Sequence, residues 1–289
     1  MQNKKINEIQ NALLLGIKDY FRKNNFKRAV IGLSGGLDSS VAAYLTAKAI
    51  GSENVTAILM PEKGVTKVDN YNDALKIARK LRIKHYAIPI NNAIDFFDSV
   101  NEKIISKKSK KIKEKLNKKN LLAIANSKAR IRMTILYYFA NLNNALVIGT
   151  SDKSEIALGY TTKYGDNASD ILVIGDLWKT QVIMLGEHLG VPENILNKKP
   201  SAELIIGVDA EKELGAPYEI LDRILEQYIE HDSNIKDLKR FKKEIVKDVV
   251  KRVRLNEHKR RTAMLIRVSE RSFHNMEWRV PVTNRFREK

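Results

Sequence analysis

Residues 28–40 read RAVIGLSGGLDSS: a β-branched apolar run that ends in two glycines, an acid and paired serines. The run at 29–33 has the length and composition of a buried strand, and apolar side chains recur at helical spacing over 39–50. A strand, a glycine turn and a helix start place a ligand at the carboxyl end of a strand, where α/β sheets bind anions. Gly35 and Gly36 permit the tight turn and a close backbone approach. Ser34, Ser39 and Ser40 supply hydroxyls, and the helix start aims free N–H groups and its positive dipole end at the same point. With Gly32, Leu33 and Leu37 these residues form an anion cradle. It is neither GxxxxGK[ST] nor GxGxxG. Asp38 within it would repel a phosphate unless a divalent cation such as Mg²⁺ bridges the two.

Outward from this loop, short runs at 55–60 (VTAILM), 85–90 (HYAIPI) and 146–149 (LVIG) read as further buried strands. Helical patterns at 68–81 and 121–141 alternate with them. The expected fold class is therefore α/β, an open, mainly parallel sheet with helices on both faces. Residues 150–176 are rich in Gly, Thr, Ser, Asp and Tyr, the texture of an ordered functional loop. Helices are expected at 177–189, 218–231 and 235–254. The simplest organisation is one domain over 1–289, with a helical N-terminal segment at about 1–27 and a lysine-rich segment at about 103–119.

The 289 residues include 43% hydrophobic and 30% charged side chains, as in soluble globular proteins. No apolar run reaches the ~20 residues of a membrane-spanning helix, and the N-terminal sequence has no signal-peptide pattern, so a cytoplasmic protein is expected. There is no cysteine, which excludes disulfides, thiolate metal sites and cysteine nucleophiles within the chain. The net charge of +18 suggests a polyanion partner, but its densest stretch, 107–119 (KKSKKIKEKLNKK), has no interleaved aromatic residue to stack on bases. It reads as a solvated segment, and a nucleic-acid partner is not expected.

SGGLDSS is similar to the SGGxDS loop of the N-type ATP pyrophosphatases, whose fold is adenine nucleotide alpha hydrolase-like. Further blocks narrow the resemblance: NSKARIRM (126–133), GTSDKSE (149–155), GYTTKYGD (159–166), GDLWKT (175–180), PSAEL (200–204), ELG (213–215) and EHKR (257–260). In this order, over about residues 10–281, they resemble the NAD synthetases.

The resemblance implies ATP-dependent amidation of deamido-NAD (nicotinic acid adenine dinucleotide) by ammonia through an acyl-adenylate, giving NAD, AMP and pyrophosphate. It implies catalytic roles for Asp38, Glu155, Asp166 and Lys179, with the three acids associated with Mg²⁺. Lys179, Thr150 and Ser201 match ATP contacts beside the loop 32–39, and Arg130, Lys163, Asp170, His258 and Lys259 match contacts to deamido-NAD. A homodimer is implied too. The amphipathic stripe Ile6, Ile9, Leu13, Ile17 and Phe21, or the 121–141 helix, supplies either that interface or ordinary core packing. Ammonia is expected to arrive free or from a separate glutaminase, because the glutamine-using relatives carry a cysteine-dependent domain.

Three departures bear on loop closure: residues 164–170 read YGDNASD where the bacterial pattern is YGDGGAD, 207–211 read GVDAE for GQTDE, and Ala263 replaces a proline. The competing reading is a lysidine-forming, tRNA-modifying ATP pyrophosphatase. The loop and the charge suit it, whereas the 149–170 block does not.

Overall fold

A computed structural model describes residues 2–105, 110–200, 209–261 and 263–272. Helix α1 (Gln2–Lys23) precedes β1 (Arg28–Gly32) and α2 (Leu37–Ile50); β2 (Val55–Leu59), α3 (Val68–Lys80), β3 (Lys84–Ala87) and α4 (Asn91–Ile105) follow. Then come α5 (Lys110–Asn143), β4 (Ala145–Gly149), α6 (Lys153–Leu158), β5 (Ile171–Leu172) and α7 (Lys179–Leu189). The rest is α8 (Glu193–Leu196), α9 (Ala210–Leu214), α10 (Tyr218–Leu225) and α11 (Lys243–Leu255).

The strands pair in the order β3-β2-β1-β4-β5, every pair parallel. Side chains alternate across the sheet as the pleat requires. Ala29, Ile31, Ala57, Leu59, Leu146 and Ile148 enter one core with α1, α2 and α7, while Val30, Ile58 and Val147 face α5. Both faces are covered, which is why the central strands read as unbroken apolar runs. Ile17 and Phe21 of the α1 stripe are buried in the first core, each contributing about 1.5–3 kcal/mol by the area it removes from water. The stripe is thus core packing and not a free interface.

Strand order also locates the crevice. From β1 the chain builds outward through β2 and β3, and later returns to the opposite flank of β1 with β4 and β5. The loops leaving β1 and β4 therefore diverge, and open a space at the carboxyl ends of the two adjacent strands.

Several boundaries differ from the sequence reading, for local reasons. The helix expected at 121–141 begins at Lys110, because lysine is a good helix former and polarity alone does not stop a helix. Residues 106–109 of the lysine-rich segment lie outside the described residues. β3 is an exposed edge strand that stops at Ala87, two residues before Pro89, which has no N–H for the ladder. The expected helix at 235–254 is a short turn at Ile235–Asp237 followed by α11, with Leu238 buried between them. α10 passes into a π turn at Glu226–Glu230, and α4 was not anticipated. No helix among the described residues is long and apolar enough to cross a membrane.

Candidate active site

The cradle after β1 is tied internally. The Ser34 and Ser39 hydroxyls meet at 3.0 Å, Gly36 N donates to Ser34 Oγ at 3.2 Å, and Ser39 and Ser40 donate to Gly36 O. Gly35 has φ +80°, and a Cβ there would lie 2.0 Å from Asn70 O, so the first turn of α3 packs directly on the loop. α2 starts at Leu37 with no side-chain cap, leaving its first N–H groups to a ligand.

The loop after β4 brings the second half. Asp152 caps α6: its Oδ1 accepts from Glu155 N at 2.8 Å, while Asp152 N donates to Glu155 Oε2 at 3.4 Å. This reciprocal box fixes both acids. Opposite them Lys179, the first residue of α7, extends its ammonium between three carboxylates, at 2.8 Å from Asp38, 2.7 Å from Asp152 and 3.3 Å from Glu155. Lys179 is 2% exposed and Asp152 is fully buried. Burial alone would lower the Lys179 pKa, but the three acids outweigh it and hold it well above the ordinary lysine value. Burial pushes Asp152 up to about 6, with Asp38 adding to the rise and Lys179 opposing it, and lifts Glu155 well above the usual glutamate range.

Lys179 is itself held from behind. Its N–H donates to Ser154 Oγ at 2.9 Å, that hydroxyl donates to Asp222 Oδ1 at 2.6 Å, and Asp222 Oδ2 accepts from Thr180 N. Asp222 on α10 thus caps α7, a carboxylate at the positive end of a helix. The Tyr218 ring lies 5.3 Å from Lys179 Nζ, and its buried hydroxyl has no hydrogen-bond partner among the described residues.

The oxygens of Asp38, Asp152 and Glu155 lie within 4.8 Å of one another. Asp38 Oδ1 is buried and accepts no hydrogen bond among the described residues, while Asp152 Oδ2 is taken by Lys179 Nζ at 2.7 Å. When all three acids are ionised, one ammonium leaves two negative charges uncompensated. Hard oxygen donors with that balance suit a divalent cation such as Mg²⁺.

Of the remaining expected residues, Thr150 and Asp166 line a cavity of about 500 Å³ that spans both loops, whereas Arg130, Lys163, Asp170, His258 and Lys259 are outside its lining. Asp166 stands outside the tight carboxylate group and accepts from Thr162 N at 2.6 Å, yet its charge acts on Glu155. Arg130 donates from two nitrogens to Lys163 O, and Lys259 Nζ donates to Gly159 O and Thr161 O. These cations thereby shape the 159–170 loop. Asp170 accepts from Val147 N at 2.7 Å and from Tyr137 Oη at 3.3 Å, so its carboxylate ties that loop to β4 and α5. His258 is exposed in a short turn, and Ser201 lies outside the described residues.

The sequence reading missed Asp152, Ser154, Asp222 and Tyr218. Asp152 had a signal, since D-x-x-E at 152–155 is a capping-box pattern. Asp222 had none, because its partners lie 42 and 68 residues away.

A parallel sheet whose switch point presents this cradle opposite a carboxylate cluster and a buried lysine defines an α/β protein of the N-type ATP pyrophosphatase fold. The NAD synthase family model matches residues 9–263, and the chain belongs to that family. An NH(3)-dependent NAD(+) synthetase of Staphylothermus marinus is 45% identical over 216 residues, 75% of this chain and 74% of that protein. A glutamine-dependent NAD(+) synthetase of Thermotoga maritima is 38% identical over 97% of this chain, which spans 48% of that longer protein. The solved NMN synthetase of Francisella tularensis is similar with a TM-score of 0.77 at 33% identity, over 91% of this chain and 99% of that one.

Proposed function

We propose that this chain converts deamido-NAD, ATP and ammonia into NAD, AMP and pyrophosphate. The observation that carries the reading is Lys179 set among Asp38, Asp152 and Glu155, joining the phosphate cradle's own acid to the loop after β4, in a member of the NAD synthase family. The substrate carboxylate attacks the α-phosphorus of ATP, pyrophosphate leaves, and ammonia then displaces AMP from the acyl-adenylate. Phosphoryl transfer of this kind depends on positioning and charge neutralisation. The cradle's N–H and hydroxyl groups hold the phosphates, Lys179 neutralises charge on them, and Arg130, Lys163, Asp166, His258 and Lys259 border the dinucleotide, with Asp170 fastening the loop behind them. Asp38, Asp152 and Glu155 would hold Mg²⁺, which supplies Lewis-acid stabilisation of the developing phosphate charge.

Ammonia as nitrogen donor is supported by the likeness to an NH(3)-dependent NAD(+) synthetase over 74% of that protein and by these 289 residues holding no cysteine to cleave glutamine. A separate glutaminase is the alternative source. Exposed Tyr138 and Leu142, one turn apart on α5, support a homodimer through that helix. We read the chain as one catalytic unit working in the cytoplasm, where ATP and ammonia are both at hand. The tRNA-modifying alternative is not favoured, since the family match spans 9–263.

An end-point assay tests the reading: ATP and Mg²⁺, with deamido-NAD or nicotinate mononucleotide, and ammonium or glutamine. NAD and AMP from deamido-NAD with ammonium alone is the expected result. Amidation of the mononucleotide alone would move the substrate assignment, and no amidation of either would overturn it.

A further inference from the structure

The loop leaving α8 carries a cation that no motif singled out. Lys198, at the cavity wall, donates from Nζ to Gly35 O at 3.0 Å and lies 2.7 Å from Asp73 Oδ2. Asp73, on α3, is nearly buried and also receives Asn194 Nδ2 at 2.9 Å and Lys76 Nζ at 3.3 Å. The phosphate loop, α3 and the exit of α8 therefore meet at one ammonium. Fixing so long a side chain costs up to ~2 kcal/mol of rotamer entropy, so solvated surface lysines are seldom held this way.

Peptide geometry shows what the contact does. Gly35 C=O and Gly36 N–H belong to one planar trans peptide and point in opposite directions. With the carbonyl drawn toward Lys198, Gly36 N–H is aimed away from it, onto Ser34 Oγ, the hydroxyl that also meets Ser39 Oγ. Neither glycine carries a side chain of its own to resist rotation, so within the loop the peptide is held at Gly36 N–H by Ser34 Oγ. The lysine holds its carbonyl from outside the loop.

We propose that Lys198, clamped by Asp73, is a positioning residue that sets the Gly35–Gly36 peptide so that the cradle's donors face the nucleotide phosphates. The inference rests on the ATP-using reading above. A charge-assisted bond of this type implies a loss of about tenfold or more in nucleotide affinity when it is removed.

The test is calorimetric titration of the full chain with Mg²⁺–ATP and, separately, with deamido-NAD, for wild type, K198M, K198R and D73N. K198M should weaken Mg²⁺–ATP about tenfold or more while leaving deamido-NAD affinity unchanged, and K198R should recover most of the loss. D73N should act in the same direction, and K198M/D73N should be no weaker than K198M, because the pair works as one unit. Should D73N not fold, the two Lys198 variants decide alone. Unchanged ATP affinity in K198M, or equal loss for both ligands, overturns the proposal. A wild type that binds deamido-NAD but no Mg²⁺–ATP overturns the ATP-using reading instead.

Discussion

Replacing Lys179 by methionine tests the logic of the whole site. The substitution keeps most of the volume and removes an ammonium that sits 2.7–3.3 Å from three carboxylates. At an effective dielectric near 20, one contact at 2.8 Å is about 6 kcal/mol before desolvation is counted. Removing one partner of a buried ion pair costs about 3–5 kcal/mol net, because the remaining charges lose their compensation. At about 2–4 °C per kcal/mol for a chain of this size, the midpoint should fall by roughly 6–20 °C.

The pH dependence carries a sign. Acids whose folded pKa is raised, as for Asp152 at about 6, hold protons that the unfolded chain has released, so they subtract stability as pH rises from 3.8 to about 6. Lys179 does the reverse, since a raised lysine pKa adds stability that is fully present below the ordinary lysine value. Without it the acids rise further, so the deficit is greatest near neutral pH and shrinks toward about pH 5. Thermal melts at the two pH values read this directly. Mg²⁺ should also stabilise the variant more than the wild type, because the cluster then lacks its own cation. A variant that melts with the wild type at neutral pH, or whose deficit grows on acidification, would refute the reasoning.

Other substitutions probe single links. Gly35→Ala places a Cβ 2.0 Å from Asn70 O at a positive φ, and should cost about 2 kcal/mol or more in urea melts together with nucleotide binding. Burial alone would raise Asp73, yet Lys198, Asn194 and Lys76 hold it below 3.8. Its contribution is therefore present above that value and lost as pH falls through its folded pKa, so the stability gap between wild type and D73N should narrow below about pH 4. Asp170→Ala frees Val147 N within the sheet and should cost about 1–3 kcal/mol with little change in dinucleotide affinity; native melting with a large affinity loss would reverse that assignment. Neutral replacements across 107–119 should leave amidation intact, whereas an RNA-directed enzyme would lose substrate binding and salt sensitivity.

What the sequence made legible was whatever local chemistry encodes. The 28–40 run carried strand, turn and helix start in consecutive residues, and all three formed within two positions of the expected bounds. Lys179 and Glu155 were reached through motif resemblance, and the structure sets them 3.3 Å apart. Asp152 went unread because a capping acid and a site acid look alike until Lys179 arrives from another element. Asp222 and Lys198 were invisible for a simpler reason: each acts across loops whose proximity only the assembled fold creates. The lysines that open α5 read as a solvated segment because their charge suits water, although lysine is also a good helix former.

The neighbour relation of β1 and β4 also has a consequence for the growing chain. Residues 28–32 must wait for 145–149 before that flank of β1 is paired. At roughly 5–20 residues per second, the interval is roughly 5–20 s, during which β1–β3 has an apolar strand with an unsatisfied edge. Such an edge invites pairing with another nascent chain. The lysine-rich stretch at 107–119 is synthesised within that interval. Its net positive charge opposes close approach of a second copy while that edge is open.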